Sequence, residues 1–93
     1  GLDLIVTENG IATTSGRRRA QSVVRHLTAL APLVEEGVPL RGYYHWSLLD
    51  NFEWALGYGP TFGIVEVDRE TFARTPKPSA HWLGSVAKAN ALE

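Results

Sequence analysis

Leu2-Asp3-Leu4-Ile5-Val6 is an almost continuously apolar stretch. A short run of this kind is typical of a strand that is buried on both faces, as in a parallel sheet. Asn9-Gly10 then signals a turn, and residues 13–16 have the composition of a loop. The sequence therefore predicts a core strand over residues 2–6 that ends close to Glu8.

A helix is predicted from about Arg18, because the apolar period changes there to steps of three and four residues. Pro32 lacks a backbone donor, so we expect a kink or an early end of the helix at that position. Gly37 suits the left-handed position that often follows a helix. The apolar stripe consists of Ala20, Val23, Val24, Leu27, Leu30, Ala31 and Val34.

A second strand, rich in aromatic residues, is predicted over about residues 42–47. The two strands and the helix have the length of one βαβ unit, which predicts a parallel pair joined by a crossover. A long loop over 48–62 and a short strand over 63–67 follow, and Thr75-Pro76-Lys77-Pro78 is expected to stop that strand. Pro78 fits the first turn of a last helix over about 78–90.

Composition excludes several classes of function. The net charge of -1 gives no reason to expect nucleic acid or an acidic membrane as a partner, and no apolar run is long enough to span a bilayer. Cysteine is absent and the three histidines lack ligand spacing, so we predict neither a metal site nor a cofactor. Arg17-Arg18-Arg19 is interpreted as a solvated first helical turn rather than a phosphate site.

The cellular context is predicted only from what the sequence lacks. The absence of cysteine agrees with a reducing compartment, and no secretory signal is visible, so we expect a cytoplasmic location. The sequence also contains no methionine. We therefore expect that translation of the natural protein starts elsewhere.

Glu8 is the first candidate for chemistry because it follows the predicted strand closely. The carboxyl ends of parallel strands form the functional face of βα architectures. A carboxylate there can attack the anomeric carbon of a sugar and form a glycosyl ester that water later cleaves. The alternative is a turn with a solvated glutamate, which Thr7-Glu8-Asn9-Gly10 by itself does not exclude.

The second candidate region is the aromatic and acidic run from Gly42 to Trp54. Flat aromatic rings stack on the apolar faces of sugars, and a carboxylate accepts hydrogen bonds from two hydroxyls at once. Trp46, Glu53 and Trp54 offer this combination within nine positions. The alternative is that the tryptophans pack in a core. Glu53 weighs against it, because an unpaired acid in an apolar setting is costly.

Both motifs resemble those of glycoside hydrolase family 1, the retaining β-glucosidases. Thr7-Glu8-Asn9-Gly10 matches the family's Thr-Glu-Asn-Gly, and residues 46–54 match its Trp-Ser-Leu-Leu-Asp-Asn-Phe-Glu-Trp without a gap. The resemblance covers nearly the whole chain. It implies an α/β fold in which residues 1–93 are the C-terminal βαβα part of a (β/α)8 TIM barrel, strands seven and eight with their helices.

The resemblance also implies a role for each matching residue. Glu8 corresponds to the catalytic nucleophile, and Trp46 to the floor of the subsite that holds the sugar. Glu53 corresponds to the acceptor of the hydroxyls at the far rim, and Trp54 to the donor of an indole N–H to a neighbouring hydroxyl. Phe62, in Phe62-Gly63, closes the same subsite.

Other positions in the run bear on loop shape and on the substrate. Asp50 and Asn51 match as well, and we predict that they shape the loop rather than contact sugar. One branch of the family hydrolyses 6-phosphoglycosides and has Ser, Lys and Tyr where this chain has Glu53, Pro60 and Phe62, so non-phosphorylated sugars are favoured. The family more often has a Lys-Arg pair where this chain has Pro60-Thr61.

One required group is absent from the sequence. Retaining cleavage needs two carboxyl groups, and the family's general acid/base lies in an Asn-Glu-Pro motif that does not occur here. The predicted function is therefore β-glucosidase-type hydrolysis with retention in the full-length parent, with this segment inactive alone. The alternatives are a non-catalytic carbohydrate-binding piece and an assembly fragment.

The partners follow from the same resemblance and from sheet geometry. The predicted substrate is a β-glycoside or an oligosaccharide. Two parallel strands cannot close a barrel and would leave unpaired edges. We therefore expect the segment to pair with the missing part of the barrel or with itself.

Overall fold

The computed structural model describes residues 1–92, which form two small sheets and two helices. The elements in chain order are β1 (Leu4–Asn9), α1 (Gly16–Glu35), β2 (Leu40–His45), a short 3-10 turn (Trp54–Leu56), β3 (Val65–Val67), β4 (Arg74–Pro76) and α2 (Pro78–Ala89). Within the described chain, no helix has both the length and the apolar character that crossing a membrane requires.

Strands β1 and β2 are parallel neighbours, which confirms the predicted βαβ unit. The ladder runs from the Leu4–Leu40 pair to the Asn9–His45 pair. Strand β2 begins and ends two residues earlier than predicted. It ends before Ser47 because Ser47 donates its backbone N–H to the Phe62 carbonyl at 3.1 Å. The carboxyl ends of both strands therefore lie at one edge of the sheet.

The prediction that the first strand is buried on both faces is wrong for this chain. Leu4 and Ile5 are 51% and 53% exposed, and β1 extends over residues 4–9 rather than 2–6. The physical reason is that β1 has only β2 as a neighbour among residues 1–92, so one edge and much of one face meet no other element.

Helix α1 begins two residues earlier than its apolar pattern suggests. Ser15 is its N-cap, and the Ser15 side chain accepts the backbone N–H of Arg18 at 3.2 Å. The early end that was one of the two expectations at Pro32 does not occur, since the helix continues to Glu35. Pro32 lies in the last turn, where its own missing donor costs one bond while its carbonyl still accepts the Glu36 N–H.

Gly37 ends α1 as the sequence predicts. Its φ of 93° is in the left-handed region, and its N–H donates to the Val34 carbonyl at 3.1 Å. Val38 donates to the Leu33 carbonyl at 2.9 Å. These two bonds form a Schellman motif, in which a glycine carries the strained backbone angle without steric cost.

The interpretation of Arg17-Arg18-Arg19 as a solvated turn is wrong for Arg19. Arg17 and Arg18 are exposed, whereas Arg19 is only 1% exposed and is the most deeply buried large side chain of the described residues. It lies one helical turn before Val23, the other buried residue of α1. That spacing places both on the inner face of the helix.

The second sheet contains a strand that the sequence analysis missed. Strand β4 pairs antiparallel with β3, so Thr75-Pro76 belongs to a strand instead of stopping one. Proline is tolerated because it is the last residue of a strand in a two-stranded sheet. The turn between the strands is held by Asp68, whose pKa is lowered because its carboxylate accepts the N–H groups of Thr71 and Glu70.

Helix α2 confirms the prediction of a last helix with Pro78 in its first turn. It ends at Ala89 and is capped by Asn90, which has a left-handed φ of 54°. Helix α1 packs on β2, α2 packs on β4, and the two helices contact each other. Val23 and Val65 are the buried hydrophobic residues. The core is small, so the position of the functional loops depends heavily on polar contacts.

Candidate active site

Glu8 and Trp46 are 38 positions apart in sequence, and both lie at the carboxyl edge of the first sheet. Glu8 is the penultimate residue of β1 and its side chain is exposed. Trp46 directly follows β2, and its backbone N–H donates to the Asn9 carbonyl at 2.8 Å. The parallel ladder thus carries a free carboxylate and an indole ring to the same edge.

Gly10 allows this close approach. A Cβ atom at position 10 would lie 2.0 Å from the Trp46 carbonyl oxygen, a distance that no side chain tolerates. Glycine at position 10 therefore serves the predicted turn and also leaves space for the chain that follows β2.

Asn9 is held by the neighbouring strand. The Tyr43 hydroxyl donates to Asn9 Oδ1 at 2.7 Å, and burial raises the pKa of Tyr43. Successive side chains of a strand point to opposite faces, so Glu8 is directed away from the Tyr43 side. This contact orients the strand end without occupying the Glu8 carboxylate.

Phe62 lies beside Trp46 because the segment that follows the long loop pairs with residue 47. The Trp46–Ser47 peptide bond is cis. Ser47 donates to the Phe62 carbonyl at 3.1 Å, and Ile64 donates to the Ser47 carbonyl at 3.0 Å. Trp46 remains 39% exposed, so its ring is accessible at this position.

Asp50 and Asn51 shape the loop, as predicted. Asp50 Oδ1 accepts the Gly63 N–H at 2.8 Å and the Lys77 ammonium at 2.9 Å. Asn51 Nδ2 donates to the Leu49 carbonyl at 2.8 Å. The Asp50–Lys77 pair is largely buried, with side chains 11% and 19% exposed. It ties the loop to the N-terminus of α2.

Glu53 and Trp54 lie on the 3-10 turn within the long loop. Glu53 donates its N–H to the Gly57 carbonyl at 2.7 Å, which closes the turn on itself. Trp54 is 81% exposed and has a left-handed φ of 44°. The alternative that the tryptophans pack in a core is therefore wrong for Trp54 within this chain.

The outer side of this loop is supported by Arg69. Its guanidinium lies over the Tyr58 ring, 4.5 Å from the centroid, and donates a hydrogen bond to the Asp50 carbonyl. The Tyr58 ring in turn packs edge-on against Phe52 at 5.4 Å between centroids. Arg69, in the turn between β3 and β4, thus contributes to the shape of the loop.

His45, the last residue of β2, is a half-buried titratable group next to Trp46. Neither of its ring nitrogens has a hydrogen-bond partner among the described residues. Burial lowers the pKa of His45, and the positive charge of Arg19 lowers it further. The nearby backbone of Phe62 partly offsets these two effects. These surroundings favour the neutral imidazole over the charged one. Residues 1–92 contain no group of three potential ligands that could hold a metal ion.

Sequence reasoning missed the residues that hold the loops together. Thr13, Arg19, Thr61 and Lys77 all make contacts between segments that are distant in sequence. For Arg19 a signal existed, because it continues the buried stripe one turn before Val23. For the two threonines no local pattern distinguishes them from ordinary loop residues.

Comparison with known proteins supports the class that this site suggests. The family model of glycosyl hydrolase family 1 matches residues 2–92. β-Glucosidase A of Thermotoga maritima is 45% identical over 100 residues, an alignment that covers 98% of this chain and 22% of that protein. The chain belongs to glycosyl hydrolase family 1.

Solved structures agree with this assignment. A β-glycosidase from Pyrococcus horikoshii superimposes with a TM-score of 0.96 at 43% identity, covering 98% of this chain and 22% of that one. The Thermotoga maritima β-glucosidase in complex with glucoimidazole gives 0.94 at 42% identity, covering 98% and 23%. The segment is therefore part of a TIM barrel, as predicted, and spans about a fifth of the length of its relatives.

Proposed function

We propose that this segment supplies the nucleophile and most of the sugar subsite of a retaining β-glycosidase. The proposal rests on one observation. The Glu8 carboxylate is exposed near the end of β1, and Trp46 lies at the same edge of the sheet because its backbone N–H donates to the Asn9 carbonyl. A free carboxylate beside an accessible indole ring suits attack on a sugar that is stacked on that ring. The relatives named as β-glucosidases support the reaction class.

The proposed reaction has two steps. Glu8 attacks the anomeric carbon, the glycosidic C–O bond breaks, and the departing oxygen takes a proton from a general acid. Water then attacks the resulting ester and gives its proton to the same group, which releases the sugar with its original configuration. The sequence has no Asn-Glu-Pro motif, so the parent enzyme must provide this second carboxyl group from outside the segment.

The proposed substrate is a non-phosphorylated β-glycoside. Trp46 would form the floor under the sugar, while Glu53 and Trp54 would bind hydroxyls at its rim and Phe62 would close the subsite. Glu53 is half-buried on its turn. A carboxylate at that point would repel a 6-phosphate group, which is the physical reason for preferring neutral sugars.

A purely carbohydrate-binding role is the second candidate. The exposed Trp46 and Trp54 favour it, since both rings are available for stacking. Binding alone, however, gives no reason for a free carboxylate at the strand end beside the sugar platform. Covalent chemistry on Glu8 separates the two candidates.

The parent enzyme should form a stable covalent adduct on Glu8 when treated with an activated 2-deoxy-2-fluoro-β-glucoside. The fluorine destabilises the positively charged transition state of both steps, whereas the good leaving group keeps the first step fast. Mass spectrometry of the peptide that contains residues 4–9 should show the added sugar. Absence of label there, with Glu8→Gln as the unlabelled control, would contradict the proposal.

The isolated 93-residue chain should associate and should not hydrolyse an aryl β-glucoside. Leu4, Ile5, Tyr44 and Leu48 are each more than half exposed. Covering apolar surface contributes about 25 cal/mol per Å², so the chain gains stability by pairing with the rest of the barrel or with itself. Sedimentation and an activity assay on one sample check this, and a compact monomer with turnover above background would contradict it.

A further inference from the structure

The loop after Glu8 and the loop that carries Phe62 are joined by a compact set of hydrogen bonds between Thr13, Arg19 and Thr61, hereafter the Arg19 clamp. Thr13 donates its N–H to the Thr61 carbonyl at 3.1 Å. The Thr61 hydroxyl donates to the Thr13 carbonyl at 3.0 Å. Arg19 Nη2 donates to both of these carbonyls at 2.6 Å.

The placement of Arg19 indicates that the clamp is strong. The guanidinium is removed from water, and burial lowers the pKa of Arg19, while the negative charge of Asp50 raises it. Hydrogen bonds from an ionised donor are stronger than neutral ones, particularly where solvent is excluded. Two carbonyl oxygens of separate loops therefore share one buried cation, and moving either loop would separate it from that cation.

The clamp lies next to the proposed sugar subsite without forming part of it. Thr61 directly precedes Phe62, whose carbonyl accepts the Ser47 N–H beside Trp46. Thr13 lies in the loop that follows Glu8, and Arg19 lies in the first turn of the helix after that loop. The three residues connect the segment that carries the nucleophile to the one that closes the subsite.

We infer that the Arg19 clamp holds the Phe62 loop in the conformation that binds sugar, with Thr61 as a positioning residue for affinity. The inference rests on the proposed function. Thr61 lies outside the two motifs that carry the family resemblance, so its hydroxyl bond to the Thr13 carbonyl rests on the structure and not on the resemblance.

The expected consequence is a change in KM with little change in kcat. If the loop populates its binding conformation only part of the time, apparent affinity falls by that fraction, whereas the bound complex reacts as before. In the parent enzyme, Thr61→Val should raise KM for an aryl β-glucoside by about 5- to 10-fold and leave kcat within about 2-fold. Valine keeps the volume of threonine and removes only the hydroxyl bond.

Two further variants make the test specific. Thr61→Ser keeps the hydroxyl and should restore KM to within about 2-fold of the parent value. Thr14→Val changes an exposed threonine of the loop after Glu8 and should leave both constants unchanged. A merely structural role would lower the melting temperature and the active fraction of Thr61→Val while KM stays constant, and that result would overturn the inference.

Failure of the inference about the clamp can be distinguished from failure of the proposed function. If the parent enzyme is not labelled on Glu8, the proposed function fails, whatever the Thr61 variants do. If Glu8 is labelled and Thr61→Val keeps the parental KM, only the inference about the clamp fails. If KM rises equally in Thr61→Val and in Thr61→Ser, the inference about the clamp also fails, because loss of the hydroxyl would not be the cause.

Discussion

Glu8→Gln in the parent enzyme should abolish turnover of an aryl β-glucoside while the protein remains folded. The amide is nearly isosteric with the carboxylate but cannot form the glycosyl ester, so kcat should fall by about 10⁵-fold or more. Glu8 is exposed and its neighbours Asn9 and Gly10 carry the packing contacts, so the substitution should leave the melting temperature unchanged. Steady-state kinetics and thermal unfolding on the same preparation check both statements.

Glu8→Ala provides the complementary result. Removal of the side chain leaves space in which a small anion can attack the anomeric carbon in place of the carboxylate. Azide or formate should therefore restore part of the activity, and the product should have the inverted anomeric configuration, visible by NMR. The control Glu70→Gln, an exposed glutamate of the β3–β4 turn, should behave as the parent enzyme. Near-parental kcat in Glu8→Gln would exclude Glu8 as the nucleophile.

Replacement of Glu53 should produce the second-largest effect. The proposed bond to sugar hydroxyls strengthens in the transition state, so Glu53→Ser should lower kcat/KM for glucosides by about 10²-fold or more, at about 1.4 kcal/mol per factor of ten. Glu66→Ser, which changes an exposed residue of β3, serves as the matched control. Equal kinetics for both variants would contradict the assignment.

The substrate preference offers a second measurement at the same position. Glu53→Ser combined with Pro60→Lys and Phe62→Tyr introduces the residues by which the 6-phosphoglycoside branch differs. The change removes a negative charge and adds a positive one, so the ratio of kcat/KM for a 6-phosphoglucoside to that for a glucoside should rise. An unchanged ratio would show that these three side chains do not face the sugar's 6-position.

Local patterns in the sequence were enough to predict most elements. The apolar period predicts α1. Gly37 marks the end of that helix and Pro78 the start of α2, as the structure confirms. The Glu-Asn-Gly and Trp-to-Trp motifs led to the family that the comparisons show. These features depend on contacts within one or two turns of chain, so neighbouring residues suffice to reveal them.

Tertiary structure alone decided how the loops are held. Arg19 and the Thr61 carbonyl are 42 positions apart, and the Thr61 hydroxyl and the Thr13 carbonyl are 48 positions apart. Lys77 and Asp50, which form an ion pair, are 27 positions apart. The position of Arg19 one turn before Val23 indicates that it faces inward, but only the folded chain shows that it reaches the carbonyls of Thr13 and Thr61. Exposure of β1 was also beyond local reasoning, because burial of a strand depends on neighbours that its own residues do not encode.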